Sequence, residues 1–120
     1  MDIYRVSFFF DPNTRQLSVQ DYLNNCVPKD RAKILKYIEF LREHKGILDE
    51  PHTKHIQHKI RELRVGFGKN RHRIFFFTFV NKNIILLHAF LKRAAKTPKT
   101  EITKALNNYH QVIANPQLYE

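Results

Sequence analysis

Residues 54–99, KHIQHKIRELRVGFGKNRHRIFFFTFVNKNIILLHAFLKRAAKTPK, decide the fold of this chain. They contain three runs rich in Ile, Leu, Val and Phe, at residues 59–65, 72–80 and 84–91, separated by short turns that contain Gly or Asn. Apolar runs of this length with such boundaries are typical of β-strands joined in hairpins. The stretch therefore predicts a meander of three antiparallel strands.

The alternation of side chains along a strand predicts which residues share a face of this sheet. Glu62 lies with Arg64 on one face of the first strand, and Arg73 lies with Phe75 on one face of the second. The third run is apolar at its odd-numbered and even-numbered positions alike, which predicts a central strand covered on both faces. His88 within this run is then a core histidine or, in the second interpretation, an acid or base.

The segments outside the meander predict one more strand and three helices. Residues 3–10 are strand-like, residues 19–25 and 29–44 have the apolar spacing of amphipathic helices, and residues 98–114 form the last helix. We expect Ser18 and Thr97 to cap the first and the last helix. Together these elements predict an α+β fold in a single domain, residues 1–120. Its sheet is four-stranded and largely antiparallel, with two N-terminal helices packed on it and a C-terminal helix.

Positive charge is concentrated in the same stretch. Residues 54–99 hold twelve Lys and Arg against Glu62 alone, whereas the other 74 residues hold nine Lys and Arg against ten Asp and Glu. The formal net charge of +10 is therefore a property of the predicted sheet and its flanks. A surface of one sign over a sheet predicts an anion-binding site, and nucleic acid is the anion that fits such an extended patch.

The remaining composition narrows the class of protein. Cys26 is the single cysteine, so an internal disulfide is impossible and a reducing compartment is favoured. The sequence shows neither a signal peptide nor a membrane-spanning run, and we expect a cytoplasmic protein without a membrane partner. His52, His55 and His58 lack a completing ligand, so we predict no metal site and no cofactor. Paired carboxylates suited to hydrolysis and a Gly-rich phosphate loop are also absent from the sequence.

Four short motifs in this region resemble a known toxin family. They are RELR at 61–64, RIFFF at 73–77, LLHAFLKR at 86–93 and KTP at 96–98, and LSVQDYL at 17–23 extends the similarity toward the N-terminus. Together they resemble the RelE/ParE toxin superfamily in its phage-derived, HigB-like branch. The resemblance implies a toxin that enters the ribosomal A site and cuts mRNA there without a metal ion. It also implies a cognate helix-turn-helix antitoxin that keeps the toxin silent.

The resemblance also implies which residues act. Arg64 and Arg73 would hold the scissile phosphate, Lys92 would neutralise developing charge or supply a proton, and His88 is the fallback acid or base. Arg73 is expected on an exposed sheet surface. The residues expected to bind RNA are Lys54, Lys59, Arg71, Phe90, Arg93 and Lys96, with Phe90 stacking on a base.

Two other functions remain open from the sequence. The first is inhibition of DNA gyrase without nuclease activity, as ParE-type toxins act. The second is an RNA-binding module with a structural role.

Overall fold

The computed structural model describes residues 3–120, and within them five strands and three α-helices form an α+β fold. The elements are β1 Arg5–Phe8, α1 Ser18–Asn25, α2 Pro28–Glu43, β2 Thr53–Gln57, β3 Ile60–Phe67, β4 Asn70–Phe79, β5 Asn83–Leu91 and α3 Lys99–Ala114, followed by the short 3-10 helix Pro116–Leu118. The strand order is β1-β5-β4-β3-β2. The α+β class and the β3–β5 meander are confirmed, whereas the predicted count of four strands is wrong.

The additional strand is β2, which pairs antiparallel with β3 at the edge of the sheet. Its sequence, TKHIQ, has one aliphatic residue, Ile56, and therefore lacks the apolar alternation by which strands are detected in a sequence. An edge strand is held by its backbone hydrogen bonds to one neighbour, which a pattern of side chains does not show. At the other edge, β1 pairs in parallel with β5, so the sheet is mixed.

The sheet is covered on both faces, as the composition of its last strand predicts. On one face α1 and α2 pack against a cluster that includes Leu63, Ile74 and Leu86. On the other face α3 contributes Ala105 and Val112 to a second cluster, whose sheet members are Ile60, Phe75, Phe77, Ile85, Leu87 and Phe90. Burying apolar side chains on both sides explains why β4 and β5 are almost continuously hydrophobic.

A β-bulge in β5 corrects the predicted alternation of that strand. Phe75 pairs with His88 and Phe76 pairs with Leu86, so Leu87 is the extra residue opposite β4. An extra residue interrupts the two-residue period, and everything beyond it changes face. Strict alternation would place Leu87 and Phe90 on opposite faces, whereas both lie in the cluster beneath α3. The bulge therefore decides which side chains of β5 lie on the same face of the sheet as Arg73.

The predicted caps of α1 and α3 are also wrong. The N-cap residues are Leu17 and Pro98, and neither makes a side-chain cap hydrogen bond. Ser18 is the first residue within α1 rather than the residue before it. Thr97 bonds to a side chain of the sheet instead of to the backbone of α3, a contact that belongs to the site described below.

A buried polar network joins α1, α2 and β4. Tyr22 and His72 Nδ1 are 2.7 Å apart, His72 Nε2 and Asp30 Oδ2 are 2.7 Å apart, and Asn70 Nδ2 donates to the same carboxylate oxygen at 2.9 Å. The hydrogen bonds from Asn70 and His72 lower the pKa of Asp30, which keeps it ionised. Burial raises the pKa of Tyr22, so its hydroxyl stays protonated and donates to His72. The network holds the junction of α1 and α2 against the start of β4.

Candidate functional site

The sheet register brings two of the predicted cations together. Arg64 of β3 lies opposite Arg73 of β4, and Arg73 lies opposite Phe90 of β5. Two guanidinium groups on neighbouring strands repel each other unless an anion lies between them. The pair therefore needs a counter-charge, which the sheet supplies two residues before Arg64.

That counter-charge is Glu62, whose side chain has no exposure to solvent. Arg64 Nε donates to Glu62 Oε1 at 3.3 Å, Arg73 Nε lies 3.7 Å from the same oxygen, and Thr97 Oγ1 donates to Glu62 Oε2 at 3.0 Å. A buried carboxylate is stable only when it is paired and hydrogen-bonded. Glu62 therefore fixes the positions of both arginines and of the segment that leads into α3.

Arg73 is buried, which corrects the expectation of an exposed position on the sheet. Its residue is 9% exposed, and its Nη1 donates to the carbonyl of His72 at 3.0 Å. Burial lowers the pKa of Arg73 while Glu62 opposes that shift, so the guanidinium stays charged with little water around it. Within residues 3–120, Arg73 Nε is buried without a hydrogen-bond partner. The group is thus held in place and has an unused donor close to Glu62.

Lys92 completes the cationic group. It follows β5, and its backbone N–H donates to the carbonyl of Arg71 at 2.8 Å, which extends the ladder between β4 and β5 by one residue. Burial lowers the pKa of Lys92 and Arg73 lowers it further, whereas Glu62 raises it. A lowered pKa makes an ammonium group a better proton donor than an exposed lysine.

Arg64 and Lys92 line a cleft of about 470 Å³, called the cleavage cleft below after the role that the family resemblance implies for these residues. Lys54 and Lys96, two of the predicted RNA-binding residues, line it as well. His55 is the histidine of this cleft, and its Nε2 lies 2.6 Å from the carbonyl oxygen of His58. Because a carbonyl oxygen only accepts hydrogen bonds, Nε2 is the donor in this contact.

The remaining predicted residues divide between two places. Arg71 and Arg93 line a second cleft of about 320 Å³ at the end of the sheet, which also contains Lys92 and is called the sheet-end cleft below. The structure therefore brings these two cations next to the cleavage cleft. Lys59 lies in the turn between β2 and β3, outside both clefts.

Two predicted residues belong to the core instead. Phe90 is 8% exposed and packs against Phe75 with a distance of 5.5 Å between ring centroids. Its ring is not available to stack on a base, so we assign it to the core. His88 lies parallel to both phenylalanines, and its Nε2 is 3.3 Å from Glu101 Oε1 in the first turn of α3. Burial lowers the pKa of His88, which favours its neutral form as a link between β5 and α3.

Glu62, Thr97 and His55 are the residues of the site that sequence reasoning missed. A lone carboxylate on the same predicted face as Arg64 is a signal that could have identified Glu62. Thr97 shows an ordinary helix-cap pattern, and His55 lies in an undetected strand, so their roles depend on the folded structure. In the described part of the chain, no three His, Cys, Asp or Glu side chains are close enough together to hold a metal ion. None of the helices described is long and apolar enough to cross a membrane.

Taken together, the site can bind an anion of high charge density. It combines a buried carboxylate paired with two arginines, a lysine with a lowered pKa and two further lysines around one opening. Fixed cations of this kind bind phosphate oxygens and stabilise extra charge on them.

Comparison with known proteins assigns the chain to a family. The model of the family described as Phage derived protein Gp49-like (DUF891) matches residues 21–110, which run from α1 into α3 and include all of the cations of the two clefts. No curated protein matches the chain. The match confirms the resemblance to RelE-like toxins at the level of the family. The chain therefore belongs to the phage-derived Gp49-like family, which is a family of RelE-like toxins.

Proposed function

We propose that this protein is the HigB-like toxin of a type II toxin–antitoxin system and cuts mRNA on the ribosome. The observation that carries the proposal is the group of Arg64, Arg73 and Lys92 around the buried carboxylate of Glu62. Neutralising a carboxylate needs one cation, and the surplus of positive charge at this point suits a phosphate ligand. Family membership supports a toxin as the class of protein.

RNA carries its own nucleophile, and this shapes the mechanism. The 2′-hydroxyl attacks the adjacent phosphate, so the enzyme must align the two groups, stabilise the added charge and protonate the leaving 5′-oxygen. Arg64 reaches the phosphate from the cleavage cleft, and Arg73 supplies a fixed positive charge from behind it. Lys92 gives a proton to the leaving oxygen, a step that its lowered pKa favours.

We assign to His55 the role of accepting the proton of the 2′-hydroxyl. It contributes to the lining of the same cleft as Arg64 and Lys92, and the register of β2 pairs it with Arg61, the neighbour of Glu62. His88 stacks on Phe75 and Phe90 of the cluster beneath α3 and is hydrogen-bonded to Glu101. We therefore give His55 the role of general base and His88 a role in the core.

The experiment for the proposed function is to incubate purified protein with translating ribosomes and to map the 5′ ends of the mRNA. New ends within codons that occupy the A site support the nuclease. Cleaved DNA trapped on gyrase would show ParE-like inhibition instead. RNA binding without either product would show a non-catalytic module.

The two histidines provide a matched pair of variants for the same assay. We expect His55→Gln to slow cleavage by roughly a hundredfold, because general base catalysis contributes on the order of 10² to 10⁴. We expect His88→Gln to cut mRNA within about threefold of wild type, since its contacts are structural. The rates are measured in single-turnover reactions on programmed ribosomes. A larger loss for His88→Gln than for His55→Gln would reverse the assignment.

Salt dependence tests the electrostatic part of the proposal. If four to six cations of the two clefts contact phosphates, log affinity for single-stranded RNA should fall against log salt with a slope of roughly −3 to −5. Fluorescence anisotropy with an uncleavable oligonucleotide measures this slope. A slope near zero would show that the clefts do not bind the RNA backbone.

An antitoxin is the expected partner, since the family is one of toxin–antitoxin toxins. A surface of this charge is attractive to every phosphate in the cell, and a ligand rich in Asp and Glu is the simplest block. We propose a helix-turn-helix antitoxin that covers the cleavage cleft or α3 beside it. Association should then weaken at higher salt, and Arg64→Ala should slow it.

A further inference from the structure

A third cleft adjoins the cationic surface on the opposite face of the sheet, and its lining, among the residues that the structure describes, includes Asp30 but no Lys or Arg. The cleavage cleft and the sheet-end cleft share Lys92, and the sheet-end cleft shares Asn70 and Leu91 with a cleft of about 280 Å³ at the junction of α1 and α2. We call this last one the junction cleft. The three openings thus form one path that passes the start of β4 and the end of β5. Its middle section is lined by Lys69, Arg71, Lys92 and Arg93.

The floor of the junction cleft is polar and rigid. It consists of the network in which Tyr22 donates to His72 and both His72 and Asn70 bond to Asp30. Because Asn70 donates to Asp30 through Nδ2, its amide oxygen remains available to accept a hydrogen bond. The walls add Val27 and Leu91, which are apolar, and the size lies just below the roughly 300–1,000 Å³ of pockets for drug-sized ligands.

We propose that the junction cleft binds one base of single-stranded RNA whose backbone crosses the sheet-end cleft from the cleavage cleft. This inference rests on the proposed function and extends it to a second contact on the substrate. An aromatic side chain, apolar walls and a few fixed polar groups are what an unstacked base requires. The sheet-end cleft lies between the two other clefts and is lined by four cations. These cations match the phosphates that would connect the nucleotide of such a base to the scissile phosphate.

Cys26 gives this proposal a direct readout. It is the single cysteine of the chain and it lines the junction cleft. Burial raises the pKa of its thiol and Asp30 raises it further, so alkylation by N-ethylmaleimide is best followed at about pH 8.5, near the ordinary pKa of cysteine. An RNA base in the cleft shields the thiol, and the alkylation rate reports its presence without any substitution.

The probe is a pentanucleotide with 2′-O-methyl riboses, which cannot be cut because the nucleophile is blocked. It is compared with five versions that each lack one base but keep the backbone. We expect saturating probe to slow alkylation about tenfold, which corresponds to about 1.4 kcal/mol and lies within the range for one stacked base. We expect the protection to disappear for the version that lacks the base bound in the junction cleft. Equal protection by all five versions would overturn the proposal, because the backbone alone would then be shielding the thiol.

A reciprocal experiment uses alkylation to fill the cleft. Protein modified at Cys26 should bind the full pentanucleotide roughly tenfold more weakly, while Cys26→Ala exposed to the same reagent should keep the affinity that it had before treatment. Anisotropy measures both, and thermal melting shows that the modified protein is folded. If the alkylated protein is not folded, the protection experiment decides between the outcomes. Absence of any binding to the probe, or unchanged affinity after alkylation of a folded protein, overturns the proposal.

Ribosome cleavage is scored separately, so the two proposals can fail independently. Protection of Cys26 without new mRNA ends would contradict the proposed nuclease activity and support the base-binding cleft. Cleavage at codons without protection of Cys26 would do the reverse.

Discussion

Arg73→Ala is expected to abolish mRNA cleavage, with a loss of roughly a thousandfold, and to lower the free energy of unfolding by about 3 kcal/mol. Both effects follow from one contact. Arg73 lies 3.7 Å from the fully buried Glu62, so its removal leaves that carboxylate with less compensating charge and takes a fixed cation from behind the phosphate. An exposed arginine would have cost little stability. Single-turnover cleavage and urea unfolding measure the two losses on the same preparation.

Two variants of neighbouring cations are controls for this experiment. Arg73→Lys keeps the charge but loses the forked guanidinium that bonds to the His72 carbonyl, and we expect an intermediate rate. Arg71→Ala removes an exposed cation of the same strand, and we expect weaker RNA binding with a stability within about 0.5 kcal/mol of wild type. If Arg73→Ala were as stable and as active as Arg71→Ala, the buried group would have neither of the roles that we give it.

Glu62→Gln should separate binding from catalysis. Glutamine has nearly the same shape, but it removes the negative charge that holds Arg64 and Arg73 side by side, and it can accept through one oxygen instead of two. The site becomes more positive and less ordered. We expect cleavage to fall roughly a hundredfold, while the affinity for single-stranded RNA stays equal or becomes tighter. Slower cleavage with unchanged or tighter RNA binding identifies a positioning residue, because loss of a substrate contact would weaken both cleavage and RNA binding.

Glu101 provides the matched control for Glu62. It is a partly buried carboxylate on the same side of the sheet, and it contacts His88 rather than the arginines. Glu101→Gln should leave cleavage within about threefold of wild type. Equal losses of cleavage in the two variants would mean that removing either carboxylate disturbs the fold. The specific role proposed for Glu62 would then be contradicted. Weaker RNA binding by Glu62→Gln would contradict the charge argument directly.

The sequence by itself determined the features that depend on neighbouring residues. The β3–β5 meander, the amphipathic helices and the concentration of cations are written in short-range patterns, because strand period, helix period and turn chemistry act over a few residues. The pairing of Arg64 with Glu62 on one face follows from the same period. Family motifs in this stretch suggested Arg64, Arg73 and Lys92 as one group. In the structure Arg64 and Arg73 contact Glu62, and Lys92 lines the cleft that Arg64 lines.

Only the tertiary structure decided which distant residues meet. Strand β2 forms because its backbone pairs with β3, and this pairing adds Lys54 and His55 to the lining of the cleavage cleft. The extra residue Leu87 decides that Phe90 lies in the core. Thr97 bonds to Glu62, 35 residues away, in place of capping α3, and Tyr22 reaches His72 across 50 residues. These contacts are set by strand register and by the burial of charge, both of which arise when the sheet and its helices pack together.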